Sequence, residues 1–346
     1  MTHTIDALPA SVLRFAWHRP LFWLSFGMVA LVAIALVALV VDPRTITGMP
    51  LWAKPLKFAL SVLIYSVTLA WLLGQVPRAR RLAWWAGTVI AVFLAVEMIV
   101  IYGAAFADTT SHFNVATPFS TALWSTMAVS IVIVWAATIL VAVLLFRADL
   151  GDPARSFAIR SGLIIAVVGM GLAFLMTSPT AAQLSNFQGI AGAHTVGLSD
   201  GGPGLPLLGW STVAGDLRIP HFVGMHAMQV IPLVALLIEL LGRRLPVLRD
   251  ARARLGILVV LAGLYLGIIT VLTVQALSGE SIVHPDATTS TVSFALFLAA
   301  AVGIVVIVGR ARSGIGAFSA EVMGATGAAA REGNPPFDGK SPSIRS

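Results

Sequence analysis

The sequence predicts an all-α, polytopic integral membrane bundle of about eight transmembrane helices, and three observations support this fold class. The 346-residue chain is 58% hydrophobic and only 11% charged, whereas soluble chains carry about 25% charged residues. Eight apolar stretches are close to the roughly 20 residues that cross a bilayer. A spanning segment must satisfy its own backbone hydrogen bonds, so each stretch is expected to form a helix.

The expected elements follow one another with connections of unequal length. The spans cover 22–42, 56–76, 83–106, 121–147, 157–177, 220–241, 255–277 and 290–309. The chain therefore divides into an N-terminal cytoplasmic segment at 1–21, a membrane domain at 22–312 and a tail at 313–346. The tail is rich in Gly, Ser, Ala and Pro, a composition typical of disordered segments, and it is expected to be cytoplasmic.

Basic residues alternate between the two sides of these spans. Outside the tail at 313–346, one set of connections and span flanks carries fifteen basic residues, and the alternate set carries only four: Arg44, Lys54, Lys57 and Arg218. The positive-inside rule then places both termini in the cytoplasm. Because topology accounts for the basic charge, nucleic-acid binding is not indicated. Arg outnumbers Lys nineteen to three, which favours a bacterial plasma membrane and its lipid bilayer as the setting.

Several chemistries are excluded by residues that the sequence lacks. The chain has no cysteine, so disulfides, thiolate catalysis and Cys-ligated metals do not apply. It contains neither a Walker A sequence nor a GxGxxG that follows a strand. A GxSxG nucleophile elbow is also absent. Nucleotide-binding and serine-hydrolase functions are therefore not indicated.

The longest connection, 178–219, joins the fifth and sixth spans on the predicted outer face. Loops of this length are usually functional or disordered, and this one is too apolar to be typical of disorder. It carries polar and aromatic candidates for binding an unknown small molecule, together with Asn114 and Lys54 of neighbouring outer connections. The candidates in the loop are Asp200, Trp210, Asp216 and Arg218. Asp216 and Arg218 are able to pair with each other, or each is able to present its charge to a ligand.

Lys54 and Lys57 lie at the start of the second span, on the side where cations are disfavoured. One interpretation is that both side chains extend to the headgroups. The other is that each supplies a compact cation for an anion or a buried acid. The sequence leaves both interpretations open.

Glu97 lies in the middle of the third span, with apolar residues on both sides. An ionisable group inside a membrane is by default a functional hypothesis. At 1.5 Å per residue, Glu97 lies roughly 13 Å below the outer end of its span, His226 roughly 9 Å and Gln229 roughly 13 Å. Lys57 is expected to reach towards them, and Pro232 is expected to kink the sixth span.

These four residues, Glu97, His226, Gln229 and Lys57, form the candidate catalytic group, and a purely packing role as an interhelical hydrogen-bonded cluster is the alternative. Near the other end of the sixth span, Glu239 is four residues before Arg243. That spacing predicts an ion pair within one helix.

Two functions remain open from the sequence. The first is a redox protein that binds haem or a transition metal, with neutral imidazoles as ligands. Its candidate ligands are His112, His194, His221 and His226. The second is a proton-coupled transporter or small-molecule-binding membrane protein, in which the 178–219 loop is a lid over Lys57, Glu97, His226 and Gln229.

Overall fold

The predicted helical bundle is confirmed by a computed structural model, which describes residues 18–76 and 79–332, with side chains up to residue 313. Within those residues, seven helices are long and apolar enough to cross a membrane. A bent pair of shorter helices supplies an eighth crossing when it is counted as one span. Most of the predicted N-terminal segment, 1–17, lies outside the described residues.

The helices follow the expected order. They are α1 (Arg19–Val41), α2 (Ala53–Leu73), α3 (Arg80–Phe106), α4 (Pro118–Phe146), α5 (Pro153–Gly171), the short α6 (Ala181–Ser185), α7 (Arg218–Met225), α8 (Ala227–Leu241), α9 (Ala251–Leu277) and α10 (Ala287–Glu332). Short 3-10 turns cover Leu172–Met176 and Pro246–Arg249.

Each crossing begins two to four residues before its predicted start. The reason is that the first helical turn needs no intrahelical acceptors for its N–H groups, so it tolerates Pro and polar residues that lower the hydropathy. Thr117, for example, accepts a hydrogen bond from the Ser120 N–H and precedes Pro118. Asp152 caps α5 in the same way before Pro153.

The first half of the bundle, α1–α4, packs around one apolar core that includes Leu69, Ile90 and Met127. Two buried hydrogen bonds cross this core. The Tyr65 hydroxyl lies 2.6 Å from the Thr138 hydroxyl, and the Tyr102 hydroxyl donates to Leu31 O. Each bond satisfies polar atoms that the hydrocarbon would leave without water.

The second half packs α5 very closely against α7 and α8. A Cβ placed on Gly169 would lie 2.2 Å from the carbonyl carbon of Gly224, so the two backbones touch directly. Seven residues earlier, Gly162 lies against the backbone of Ala227 and Met228. Small residues of this kind let membrane helices approach without lipid between them.

The sixth span bends at His226 rather than at Pro232, which corrects the predicted kink. Helices α7 and α8 meet there at 44°, and Pro232 lies inside α8. Gly224, which Gly169 contacts, is two residues before the break. The close contact with α5 thus lies just before the bend, whereas Pro232 lies six residues after it and removes one N–H donor.

Four connections gather at one end of the bundle. They are the α1–α2 connection with its hairpin of β1 (Thr45–Ile46) and β2 (Met49–Pro50), the α3–α4 connection, the long loop and the α9–α10 connection. The long loop carries a second hairpin of β3 (Thr195–Val196) and β4 (Gly215–Asp216). The long loop therefore has regular structure of its own, although loops of its length often have none.

At the opposite end, acidic and basic side chains join different helices. Arg155 of α5 pairs with Glu239 of α8 at 2.8 Å, which replaces the predicted Glu239–Arg243 pair. Arg254 of α9 pairs with Asp152 at 2.7 Å. These two ion pairs join the start of α5 to α8 and to α9.

The last helix continues to Glu332, beyond the expected end of the membrane domain at 312. Residues 313–332 therefore form a helical extension where a disordered tail was expected. They are rich in Ala and contain no Pro, so nothing in the backbone ends the helix. The rest of the predicted tail, 333–346, lies outside the described residues.

Candidate functional site

The long loop is held against the α3–α4 connection by backbone hydrogen bonds. Val115 donates to Gly189 O and Ala191 donates to Phe113 O, both at 2.8 Å. Gly192 has a φ of 125°, and a Cβ there would lie 2.5 Å from the ring of Phe113, so only glycine fits. The loop is thus packed down onto the bundle end.

His194 and Asp200 form a highly connected polar pair in the loop. The Asp200 carboxylate accepts from the backbone N–H groups of His194 and Thr195 and from the Thr195 hydroxyl. It also lies 2.5 Å from His194 Nδ1. Because an ionised carboxylate only accepts hydrogen bonds, Nδ1 carries the hydrogen and the second ring nitrogen, Nε2, is left as an acceptor.

The pKa values of this pair support the same protonation states. Burial opposes the ionisation of Asp200, but the hydrogen bonds from His194 and Thr195 lower the pKa of the carboxyl below its ordinary value. Burial lowers the pKa of His194, although the Asp200 carboxylate acts in the opposite direction. At neutral pH the pair is therefore a carboxylate with a neutral, oriented imidazole, which is able to accept a proton at Nε2.

Lys54 lies at the centre of the polar residues beneath this loop. It is close enough to Glu97 and Asp200 for electrostatic attraction and close enough to Lys57 and Arg218 for repulsion. Its Nζ lies 5.9 Å from the ring centroid of Phe58, one helical turn further along α2. In the described part of the chain, no hydrogen bond or ion pair involves the Lys54 ammonium. This cation is thus held among opposite and like charges without a direct partner.

Glu97 is buried on α3, only 5% exposed. Its Oε1 is buried and has no hydrogen-bond partner among the described residues. Among the described residues, Lys54 is the charged group that acts on it electrostatically. The lysine that approaches Glu97 is therefore Lys54, and the expectation that Lys57 does so is wrong.

Lys57 instead points towards the long loop. Its Nζ donates a 2.6 Å hydrogen bond to Leu208 O. Lys57 lies three residues after Lys54, so both side chains leave the same face of α2, yet they reach different neighbours. One lysine faces the buried acid, and the other fastens the loop to α2.

Asp216 and Arg218 form the predicted pair. Asp216 is 1% exposed, and its carboxylate accepts from Arg218 Nε and Nη2 and from the Ser211 N–H. Arg218 also donates to Gly209 O. Both charges are therefore used to hold the turns of the loop together.

His226 and Gln229 lie at the α7–α8 break. The His226 ring contacts the ring of Phe222 at 4.4 Å. Gln229 Oε1 is buried without a hydrogen-bond partner among the described residues. Within those residues, no hydrogen bond or ion pair joins Glu97 to either His226 or Gln229. The predicted group of four is therefore not joined by hydrogen bonds among the described residues, and its common role stays a prediction.

The remaining histidines are engaged by the protein itself. His221 Nδ1 lies 2.8 Å from Gly169 O. His112 Nδ1 lies 3.0 Å from the Ser111 hydroxyl, and its ring packs against Phe58 and Trp124. Burial lowers the pKa of His112, and the nearby charge of Lys54 lowers it further.

These arrangements do not support a metal centre. Among residues 18–76 and 79–332, no group of three or more His, Asp or Glu side chains is arranged to hold a metal ion. The four histidines come from separate elements, and His194 and His221 already use one ring nitrogen each within the fold. The predicted ligand set of His112, His194, His221 and His226 is therefore not assembled.

Asn114 and Trp210 have structural roles. Asn114 pairs with Ile190 in an isolated β-bridge and caps its own turn through the Ala116 N–H. Trp210 packs on Phe222 at 5.6 Å. Two contributors were not predicted, Phe58 and Thr195. The four-residue spacing from Lys54 to Phe58 was the available signal for the first, and no pattern indicated the second.

The chain matches no protein-family model, and neither curated proteins nor solved structures show significant similarity to it. The fold and the site therefore define only its class. It is a multi-pass helical protein with the composition of a membrane protein.

Proposed function

We propose that this protein binds a small anionic molecule in the polar site beneath the 178–219 loop, with Lys54 as the cation that receives it. The observation that carries the proposal is the Lys54 ammonium, which has no hydrogen bond or ion pair among the described residues. Lys54 is partly buried, and a charge withdrawn from water without a partner is destabilising. A carboxylate or phosphate ligand would offset that destabilisation.

Glu97 supports a proton-linked version of this binding. The acid and Lys54 attract each other, yet no direct contact joins them. When an anion occupies Lys54, a protonated Glu97 avoids a second negative charge beside the ligand. Anion binding and proton uptake are thereby coupled through one lysine.

The loop would act as the lid of the site. It supplies Asp200 and His194 near Lys54, and it is fastened to α2 by the bond from Lys57 to Leu208 O. The neutral imidazole of His194 offers a hydrogen-bond acceptor at Nε2 for a ligand hydroxyl or a bound water. Opening the lid requires breaking the Lys57 bond.

The setting is part of the same proposal. The basic residues put the lid on the outer face of a bacterial plasma membrane, with both termini in the cytoplasm. The site would then take its anion from outside the cell. The alternative, a haem- or metal-binding redox protein, draws no support from the histidine positions.

A thermal-shift screen of the purified full chain in lipid nanodiscs tests the proposal. The probes are inorganic phosphate, sulfate and a set of short mono- and dicarboxylates. Binding of at least one probe is expected to raise the free energy of unfolding by RT ln(1 + [L]/Kd), which is about 2.7 kcal/mol at a hundredfold excess over Kd, and so to raise Tm. The shift should be larger at a pH where Glu97 is protonated.

Two variants make the screen specific. Lys54→Met should abolish the shift, while Arg44→Gln, which removes a cation at the same end that already pairs with Asp42, should retain it. A wild-type protein that responds to no probe would overturn the proposal. An unchanged response in Lys54→Met would overturn the assignment of the cation.

A further inference from the structure

A cavity lies at the Arg-rich end of the bundle, opposite the end that carries Lys54. It has a volume of about 580 Å³ and lies between the end of α4, the α4–α5 connection, α5 and the start of α9. Its lining includes Phe146, Asp149, Arg160, Ile164 and Leu255. Neither function considered above uses these residues.

Arg160 provides the unsatisfied group of this cavity. Its Nη2 donates to Ala148 O at 3.0 Å, and the guanidinium stacks over the ring of Phe146 at 5.7 Å. Its Nε is buried and has no hydrogen-bond partner among the described residues. The guanidinium is thus fixed in place with an N–H group that lacks an acceptor.

The neighbouring basic residues are already neutralised. Arg155 pairs with Glu239, and Arg254 pairs with Asp152. Arg160 has no ion pair within the part of the chain that the structure describes. Of the three arginines around α5, it is the one available to an external anion.

The shape of the cavity favours a lipid as the source of that anion. From Pro153 to Ile164, both in the lining, α5 rises about 16 Å. The cavity therefore extends from a polar connection to a depth where the surface is apolar. Phe146 and Ile164 are both exposed on the bundle surface, where acyl chains would contact them.

Asp149 adds a complementary charge. It is exposed and lines the same cavity as Arg160, and its only bond in the described chain is to the Gly151 N–H. A headgroup with a phosphate and a primary ammonium matches this pair of charges. We propose that the cavity binds phosphatidylethanolamine, with its phosphate on Arg160 and its ammonium at Asp149.

Native mass spectrometry of the full chain, released from mixed micelles with one added phospholipid at a time, tests this proposal. Wild-type protein should retain phosphatidylethanolamine more strongly than phosphatidylcholine or phosphatidylglycerol. A charged hydrogen bond contributes about 1.5–3 kcal/mol, so Arg160→Gln should weaken retention at least about tenfold. Inorganic phosphate should not compete, because it lacks the acyl chains.

Matched variants separate the two contacts. Asp149→Asn should remove the preference for phosphatidylethanolamine over phosphatidylcholine while leaving binding to the phosphate. Arg147→Gln, which removes a basic residue of the same connection outside the cavity lining, should behave as wild type. Equal retention of all three lipids by wild type would overturn the proposal. Equal retention of phosphatidylethanolamine by wild type and by Arg160→Gln would overturn it as well. Lys54→Met should leave lipid retention unchanged, so this result is independent of the anion site.

Discussion

Asp200 binds both the backbone and the imidazole of His194, with His194 Nδ1 2.5 Å from Asp200 Oδ2. One carboxylate therefore determines both the turn that follows His194 and the tautomer of its ring. This coupling means that a change in the charge of either residue affects the conformation of the loop and the acceptor at Nε2 together.

Acidification is expected to loosen the loop. The pKa values of His194 and His112 are lowered in the folded state, so the unfolded chain binds protons first as pH falls through about 6.5. Their contribution to stability is present above that pH and declines below it. The lowered pKa of Asp200 adds a further loss below about pH 4.

Hydrogen–deuterium exchange of the 178–219 segment between pH 7 and pH 5, corrected for intrinsic rates, measures this effect. Protection should fall with pH in wild type and fall less in His194→Asn. Exchange that is independent of pH would contradict it. Asp200→Asn should lower protection at neutral pH, because the amide cannot replace every accepted bond.

Lys57→Met is expected to release the lid without removing the anion site. The lost bond from Nζ to Leu208 O is a charged one, worth about 1.5–3 kcal/mol. Exchange around residues 205–210 should accelerate about tenfold to hundredfold, and anion binding should become faster in both directions. Lys54→Met is the matched control, since it should leave loop exchange almost unchanged.

Lys54 and Glu97 are expected to be energetically coupled. Glu97→Leu alone leaves a buried ammonium without its acidic neighbour, and Lys54→Met alone leaves a buried carboxyl. The double variant removes both the ammonium and the carboxyl, so it leaves neither group without its neighbour. It should be at least as stable as wild type while binding no anion. A double-mutant cycle on Tm or unfolding free energy should give a coupling of about 0.5–3 kcal/mol. Simple additivity would show that the residues do not interact.

The contact of α5 with α7 is expected to tolerate no added atoms. In Gly169→Ala the new Cβ would fall within 2.4 Å of three Gly224 and Met225 backbone atoms. Overpacking of this kind costs about 1–3 kcal/mol or more. Gly263→Ala, on α9 where nothing lies within 4 Å, should be neutral or slightly stabilising. Thermal unfolding of both variants in the same nanodiscs makes the comparison.

The sequence was informative wherever hydropathy alone decides the outcome. Bilayer thickness imposes long apolar runs, so the number and order of helices could be predicted. Asp216 and Arg218 are two residues apart in the chain, so their pairing was also accessible. The starts of the helices were predicted late because capping residues and Pro at the first turn do not contribute hydropathy.

Helix rotation and packing could not be predicted in the same way. Depth arithmetic identified Glu97 as a buried acid near a lysine. Lys54 and Lys57 share one face of α2, so only the side-chain contacts of the folded bundle decide which of them approaches the acid. Glu239 pairs with Arg155 of α5 and not with Arg243, because packing places α5 and α8 side by side. The bend at His226 lies beside the contact between Gly169 and Gly224, which are 55 residues apart in the chain.

The anchoring of the 178–219 loop has a consequence for protein engineering. Its bonds run to the α3–α4 connection through Phe113 and Val115 and to α2 through Lys57. It is therefore not a portable module: transplanted alone onto another helical scaffold, it would lose its geometry. A functional chimera would need to exchange all of these partners as one unit.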